Sequence, residues 1–170
     1  VDDLEGAYRA FEAASELLDG QFGMAHINRC RMGVVLGKEG NKESCDAGVR
    51  LRPDLAAAWV ASGKWFESTQ NFSEAEKRFR NGCEVESENP LSWHELGGFY
   101  TRRGNAMGRL SVLVQLVRLN PTDHALRRAF ESEFVALQPA PGAPAEGEWR
   151  RLEAVYRGLG LPSGFQGLSP

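Results

Sequence analysis

The amino-acid sequence predicts an all-α fold in which antiparallel helix pairs follow one another along the chain. The first observation is a repeat, because residues 57–88 and 91–121 align with each other at an interval of 34 residues. The second is that apolar residues in each unit recur at i, i+3, i+4 and i+7, which is one face of an α-helix. The residues that match are Trp59 and Trp93, Gly63 and Gly97, Phe66 and Tyr100, and Asn71 and Asn105.

Each unit divides into two helices joined by a tight turn. A face of leucines marks the second helix of residues 91–121, and Pro121 ends it. Gly104 and Asn105 separate the two helices, and glycine readily takes the positive φ that such turns need. Residues 26–53 form an earlier unit with a shortened second helix. Burial between neighbouring helices is predicted for Trp59, Phe66, Phe79, Trp93, Tyr100 and Leu113.

A glycine recurs in the middle of each first helix, as Gly33, Gly63 and Gly97. Glycine costs a helix about 1 kcal/mol relative to alanine. The three glycines therefore predict places where a neighbouring helix comes close.

The pattern W-x-x-L-G-x-x-Y, then Gly-Asn, a small residue, an aromatic and a closing Pro in 34 residues, resembles the tetratricopeptide repeat (TPR). The resemblance covers residues 4–137. It implies a right-handed superhelical array of antiparallel helix pairs, whose first helices line a concave face. Arg29, Ser62 and Arg109 depart from the motif and bring local packing, not the fold, into question.

Incomplete units flank the complete ones within the array at residues 1–137. Residues 4–18 resemble a second helix that lacks its first, and residues 123–137 resemble a first helix that lacks its second. Inward positions in these two helices are predicted for Ala7, Phe11, Ala14, Leu17, Phe130 and Phe134.

The composition changes after the array. Residues 138–148 are rich in Pro, Ala and Gly and predict a linker. Residues 149–159 carry an apolar stripe and predict a capping helix, which repeat arrays need for solubility. A helix that docks on a partner chain is the alternative, and residues 160–170 predict a flexible tail. The stripe consists of Trp149, Leu152, Tyr156 and Leu159.

Composition and charge exclude several classes of function. A chain with 42% hydrophobic and 25% charged residues is typical of soluble globular proteins. The net charge of −3 indicates no nucleic-acid-binding surface. The sequence contains no apolar run long enough to predict insertion into a membrane. The sequence opens on Val1 and not on Met, which is compatible with a fragment of a longer protein and with the removal of a signal peptide.

The cysteines and histidines predict no cofactor, no metal site and no enzyme. Cys30, Cys45 and Cys83 are odd in number and lack C-x-x-C spacing, so we expect buried thiols. Free thiols favour a reducing compartment such as the cytoplasm, while a periplasmic or organellar location stays open. His26 and Cys30 would supply only half of a zinc site, and no P-loop, nucleophile elbow or dinucleotide-binding turn is present.

The repeat frame predicts a protein-interaction scaffold or adaptor that holds a peptide or helix of a partner in its concave groove. Because cations and apolar residues alternate on the first helices, the partner segment should combine an apolar anchor with an acidic residue. The predicted binding face consists of Val60, Lys64, His94, Arg102 and Arg128. The other members of the same rows are Cys30, Val34, Lys38, Ser68, Gly98 and Ser132. A further row holds Ile27, Ala57, Leu91 and Ala125.

Several versions of this function are compatible with the sequence. The chain could be a stand-alone adaptor, a chaperone-like or assembly subunit of a secretion or envelope complex, or the repeat arm of a larger protein. Self-association through the end helices is the structural alternative. The Lys/Asn and Lys/Arg pairs of the family's chaperone-binding carboxylate clamp are absent at the corresponding positions.

Overall fold

A computed structural model describes residues 2–17, 22–38 and 40–161. All regular structure in these ranges is α-helical, which confirms the predicted all-α array of helix pairs. In chain order the helices are α1 (Asp2–Leu17), α2 (Gly23–Val35), α3 (Lys42–Leu51), α4 (Ala56–Ser68), α5 (Phe72–Val85), α6 (Pro90–Arg103), α7 (Ala106–Leu119), α8 (His124–Ala136) and α9 (Glu146–Gly158). Leu18 and residues 162–170 of the predicted tail lie outside the described residues.

The chain forms two compact units, Val1–Ser92 and Trp93–Pro170. In the first unit, α1 packs on α2, α2 pairs with α3, and α4 contacts both of them and pairs with α5. In the second unit, α7 packs against α8 and α9. No helix in the described part of the chain is long and apolar enough to cross a membrane.

The repeated glycines lie where each first helix meets the second helix of its own pair. A β-carbon at Gly63 would lie 3.0 Å from the ring of Phe79, and one at Gly97 would lie 3.2 Å from a valine of α7. At Gly33 it would overlap the side chain of Asn41. The prediction that these glycines mark close helix contacts is confirmed.

The three asparagines that follow these glycines share a register but not a role. Asn71 and Asn105 are N-caps, whose side chains accept from the backbone N–H three residues on, at 3.3 and 2.8 Å. Asn41 already has helical dihedrals, so its amide makes no cap bond. It turns inward instead and donates to the backbone oxygen of Cys30 at 2.7 Å.

The aromatic core of the second unit forms where α9 covers α8. The ring of Phe134 stacks on Trp149 with centroids 4.1 Å apart, and Phe130 stacks on Tyr156 at 4.5 Å. Trp149 also donates its indole N–H to the backbone oxygen of Phe134 at 3.0 Å. A helix thus packs on α8 where the sequence predicted a capping helix, although it begins at Glu146, ahead of the predicted stripe and within the predicted linker.

Two predictions about burial need correction. Phe66, Phe79 and Tyr100 are buried, but Trp59, Trp93 and Leu113 are only partly buried. Leu17 was expected to face inward and is 82% exposed.

Arg29, which stands where the motif has Trp, explains the orientation of α1. Its guanidinium binds Glu12 at 2.6 Å and lies at 3.4 Å from the hydroxyl of Tyr8 and at 3.5 Å from that of Ser15. These three residues lie on one face of α1, so the helix turns that polar face toward α2.

Candidate binding cleft

The five residues predicted to form the binding face all lie on first helices of the repeat. Val60 and Lys64 lie one turn apart on α4 in the first unit and are partly buried. Val60 also packs toward α5, since a β-carbon at Gly82 would lie 3.4 Å from its Cγ2 atom. Val60 is thus only partly available to a partner.

The other three predicted residues belong to the second unit and are exposed. His94 and Arg102 lie on α6, and Arg128 lies on α8. The guanidinium of Arg102 extends back along its own helix, within 3.1 Å of the place a β-carbon would take at Gly98.

A cleft of about 380 Å³ lies in the first unit, where the C-terminal ends of α2 and α4 come together. The repeat frame placed Val34, Lys38 and Ser68 in the same rows as members of the predicted binding face, and all three line this cleft. The lining residues are Gly33, Val34, Gly37, Lys38, Gly40, Trp65, Ser68 and Thr69.

The walls of the cleft combine apolar surface with hydrogen-bond acceptors. Trp65 and Val34, both partly buried, supply the apolar surface. The hydroxyls of Ser68 and Thr69 donate to the last carbonyls of α4, Ser68 at 2.8 Å to the oxygen of Trp65. A hydroxyl that donates its proton keeps its lone pairs, so both side chains can accept a hydrogen bond from a ligand.

Lys38 supplies positive charge at the edge of the cleft, and α1 holds it in place. Its ammonium lies 2.8 Å from the carboxylate of Glu5 and 5.7 Å from the ring centre of Tyr8. The hydrogen bond from Lys38 lowers the pKa of Glu5. An acidic partner would therefore meet a lysine that already has one carboxylate beside it. This contact could not be predicted from the sequence, because Glu5 and Lys38 are 33 residues apart.

A smaller cavity of about 210 Å³ lies along α8 in the second unit and includes the predicted residue Arg128. Its other lining residues are His124, Arg127 and Glu131. Glu131 accepts a hydrogen bond from the hydroxyl of Tyr156 at 2.6 Å. Burial, together with that bond, raises the pKa of Tyr156. Arg128 has no ion-pair partner among the residues described, which leaves its charge open to solvent.

The prediction of three unpaired thiols is wrong for two of them. Cys30 on α2 and Cys45 on α3 form a disulfide, and both are buried. Cys30 therefore faces α3 rather than the groove row in which the sequence placed it, and its sulfur is not available for a metal site with His26. Cys83 is the free, buried cysteine of the described chain. The separation of 15 residues matches no local cysteine motif, so only the pairing of the two helices could have suggested the bond.

Comparisons with known proteins bear on the fold. No protein-family model matches the sequence, and no curated protein is similar to it in sequence. Among solved structures, the crystal structure of MamA, a TPR-like helical protein, is similar with a TM-score of 0.63. The two sequences are 13% identical, and the match covers 94% of this chain and 90% of the MamA chain. The chain therefore has an all-α, TPR-like fold.

Proposed function

We propose that the chain is a protein-interaction scaffold, and that the α2–α4 cleft holds a short segment of a partner protein. The observation that carries the proposal is the meeting of Val34, Lys38 and Ser68 around one concavity. Val34 lies on α2, Lys38 in the turn that follows it, and Ser68 at the end of α4. Both helices are first helices of the repeat, which present a binding surface in repeat arrays. No catalytic role is proposed for any residue of the chain.

The chemistry of the cleft favours a segment that pairs an apolar side chain with an acidic one. A volume of about 380 Å³ lies within the usual range of ligand pockets and fits one or two side chains. An apolar side chain would pack on Trp65 and Val34. A neighbouring carboxylate of the partner would meet Lys38. A second cation, Lys64, lies on α4 one turn before Ser68.

In the second unit, His94, Arg102 and Arg128 are the proposed contacts for further acidic residues of the same partner. All three are exposed, and a single exposed ion pair contributes only about 0–1 kcal/mol. These contacts should therefore tune affinity and specificity, while the cleft provides the anchor.

A chaperone-like or assembly role in a secretion or envelope complex is the second candidate, and the disulfide favours it. Disulfides persist in oxidising compartments and are rare in the cytosol. The Cys30–Cys45 bond thus supports a site of action outside the reducing cytoplasm, in place of the cytoplasmic location expected from three free thiols.

Two pairs of variants test the proposed binding face against a partner recovered by affinity capture. Reversal of charge in Lys64→Glu with Arg128→Glu should weaken the measured affinity about tenfold. The matched reversal, Lys77→Glu with Arg80→Glu on the exposed surface of α5, should leave it unchanged. The opposite result would place the binding surface on the second helices.

A bulky side chain offers a test that does not depend on charge. Ser68→Tyr would fill the cleft from an exposed position, whereas Ser87→Tyr changes an exposed serine beyond the other end of α5. The first variant should lose partner binding and the second should keep it. If both variants bind alike, the cleft is not the site.

A further inference from the structure

The disulfide closes the loop of chain that builds half of the cleft. Cys30 lies before and Cys45 lies after the segment from Gly33 to Gly40. Every lining residue that does not come from α4 or its C-cap, Thr69, belongs to that segment. The bond thus ties together the two ends of the chain that carries these residues.

The two cysteines are a large part of the buried apolar core beneath this loop. In the core cluster shared with α4, α2 contributes Ile27 and Cys30 as buried residues, and α3 contributes Cys45 and Val49. Half of these four side chains are the cysteines themselves. Val35, at the end of α2, is 65% exposed and adds little packing.

The turn between α2 and α3 depends on two further features. Gly37 and Gly40 have φ values of 64° and 75°, which other residues rarely adopt. The buried amide of Asn41 donates to Cys30 and lies 3.7 Å from the sulfur of Cys45. Loss of the disulfide would therefore loosen the same turn whose glycines line the cleft.

Cys83 takes no part in this chemistry. It lies on α5 and is 2% exposed. Burial raises the pKa of its thiol to about 12, so very little reactive thiolate forms near neutral pH. The described chain thus has a single pair whose oxidation state can change.

We infer that the α2–α4 cleft is complete only in the oxidised chain, so that partner binding requires prior oxidation of Cys30 and Cys45. This inference rests on the proposed function. In the oxidation, the two thiols lose two protons and two electrons as one S–S bond forms. A dithiol–disulfide oxidoreductase would accept them, and its own disulfide would be reduced to a dithiol.

Burial determines when this exchange takes place. Cys30 is 0% and Cys45 is 1% exposed, so neither sulfur can be attacked in the folded hairpin. Thiol–disulfide exchange needs access to a sulfur atom. Oxidation therefore precedes closure of the hairpin, and the bond acts as a maturation step of the cleft.

The experiment compares three forms of the full chain. In a Cys83→Ala background, the oxidised protein is compared with the protein refolded under reducing conditions and with the Cys30→Ala/Cys45→Ala variant. Hydrogen exchange read by mass spectrometry should be about tenfold faster at residues 33–41 in the last two forms. Exchange within α5 and α7 should stay unchanged and shows that the rest of the chain is folded. Equal exchange at residues 33–41 in all three forms would overturn the inference.

A binding readout separates this inference from the proposed function. The probe is the peptide acetyl-Leu-Glu-Glu-amide, added to ¹⁵N-labelled protein while amide shifts of Val34 and Ser68 are followed. Shifts in the oxidised chain alone support both proposals, and equal shifts in the reduced chain overturn the inference. If exchange depends on oxidation while the oxidised chain shows no shifts, the proposed function fails and the redox-dependent cleft stands.

Discussion

Replacement of the repeat glycines by alanine tests the helix packing in a graded way. At Gly33 the new β-carbon would overlap the buried amide of Asn41. At Gly63 it would come within 3.0 Å of the Phe79 ring, which is fully buried and cannot move away. At Gly6, in the middle of α1, no atom lies within 4 Å, which makes Gly6→Ala the matched control.

The sizes follow from two opposing effects. Overpacking in a core costs about 1–3 kcal/mol, and replacing a helical glycine with alanine gives back about 1 kcal/mol. Gly33→Ala should therefore lower the free energy of unfolding by about 2 kcal/mol, and Gly63→Ala by about 1 kcal/mol. Gly6→Ala meets no neighbour and should raise it by about 0.5–1 kcal/mol.

Guanidinium unfolding of the oxidised chain, followed by circular dichroism and tryptophan fluorescence, measures these differences. The double variant Gly33→Ala/Asn41→Ala should lose less free energy of unfolding than the sum of the losses in the two single variants. The reason is that the overlap between the new β-carbon and the Asn41 side chain is gone. If Gly33→Ala is as stable as Gly6→Ala, the neighbouring helix does not come as close to the repeat glycines as inferred.

Three further changes test other parts of the structure. Reduction of the Cys30–Cys45 bond, which closes a loop of 15 residues, should lower the free energy of unfolding by about 3 kcal/mol. Equal denaturation curves for the oxidised and reduced chains would contradict its stabilising role. Asn105→Ala removes the cap of α7 and should cost about 1 kcal/mol, whereas a loss near zero would show that solvent replaces the cap. Burial raises the pKa of Cys83 from 9.0 to about 12. The contribution of this thiol to the free energy of unfolding is therefore fully present below pH 9 and is lost at higher pH, where the thiol ionises in the unfolded chain. Compared with Cys83→Ala, the wild type should therefore lose stability more steeply above pH 9, and parallel curves would refute the raised pKa.

The fold was predictable because its signals are periodic and recur. The glycines at 33, 63 and 97 and the apolar stripes fix which faces meet, whatever residues surround them. The capping helix was predictable for the same reason, since Trp149 and Tyr156 stand at helical spacing.

The features that could not be predicted from the sequence depend on contacts between residues that are distant along the chain. Asn41 has the same register as Asn105, yet only the dihedral angles of the shortened hairpin show that it faces the core. The ion pair of Lys38 with Glu5 and the disulfide both join helices whose relative rotation no motif specifies.

Helical phase allowed only part of the candidate binding surface to be predicted from the sequence. Helical phase placed Val34 in the row of Lys64, and Lys38 and Ser68 in the row of Arg102. The structure has Val34, Lys38 and Ser68 in the lining of one cleft. Helical phase did not show that Val60 packs partly against α5, because this contact depends on how closely the two helices approach near Gly82. Whether Lys64, His94, Arg102 and Arg128 bind a partner stays a prediction.

Site-specific photo-crosslinking tests most directly the claim that the α2–α4 cleft holds the partner. A benzophenone amino acid is placed at Ser68, at the edge of the cleft, or at Ser87, beyond the other end of α5, and the oxidised chain is irradiated with its captured partner. We predict an adduct from Ser68 that maps to an apolar–acidic segment of the partner, and none from Ser87. An adduct from Ser87 with none from Ser68 would contradict it.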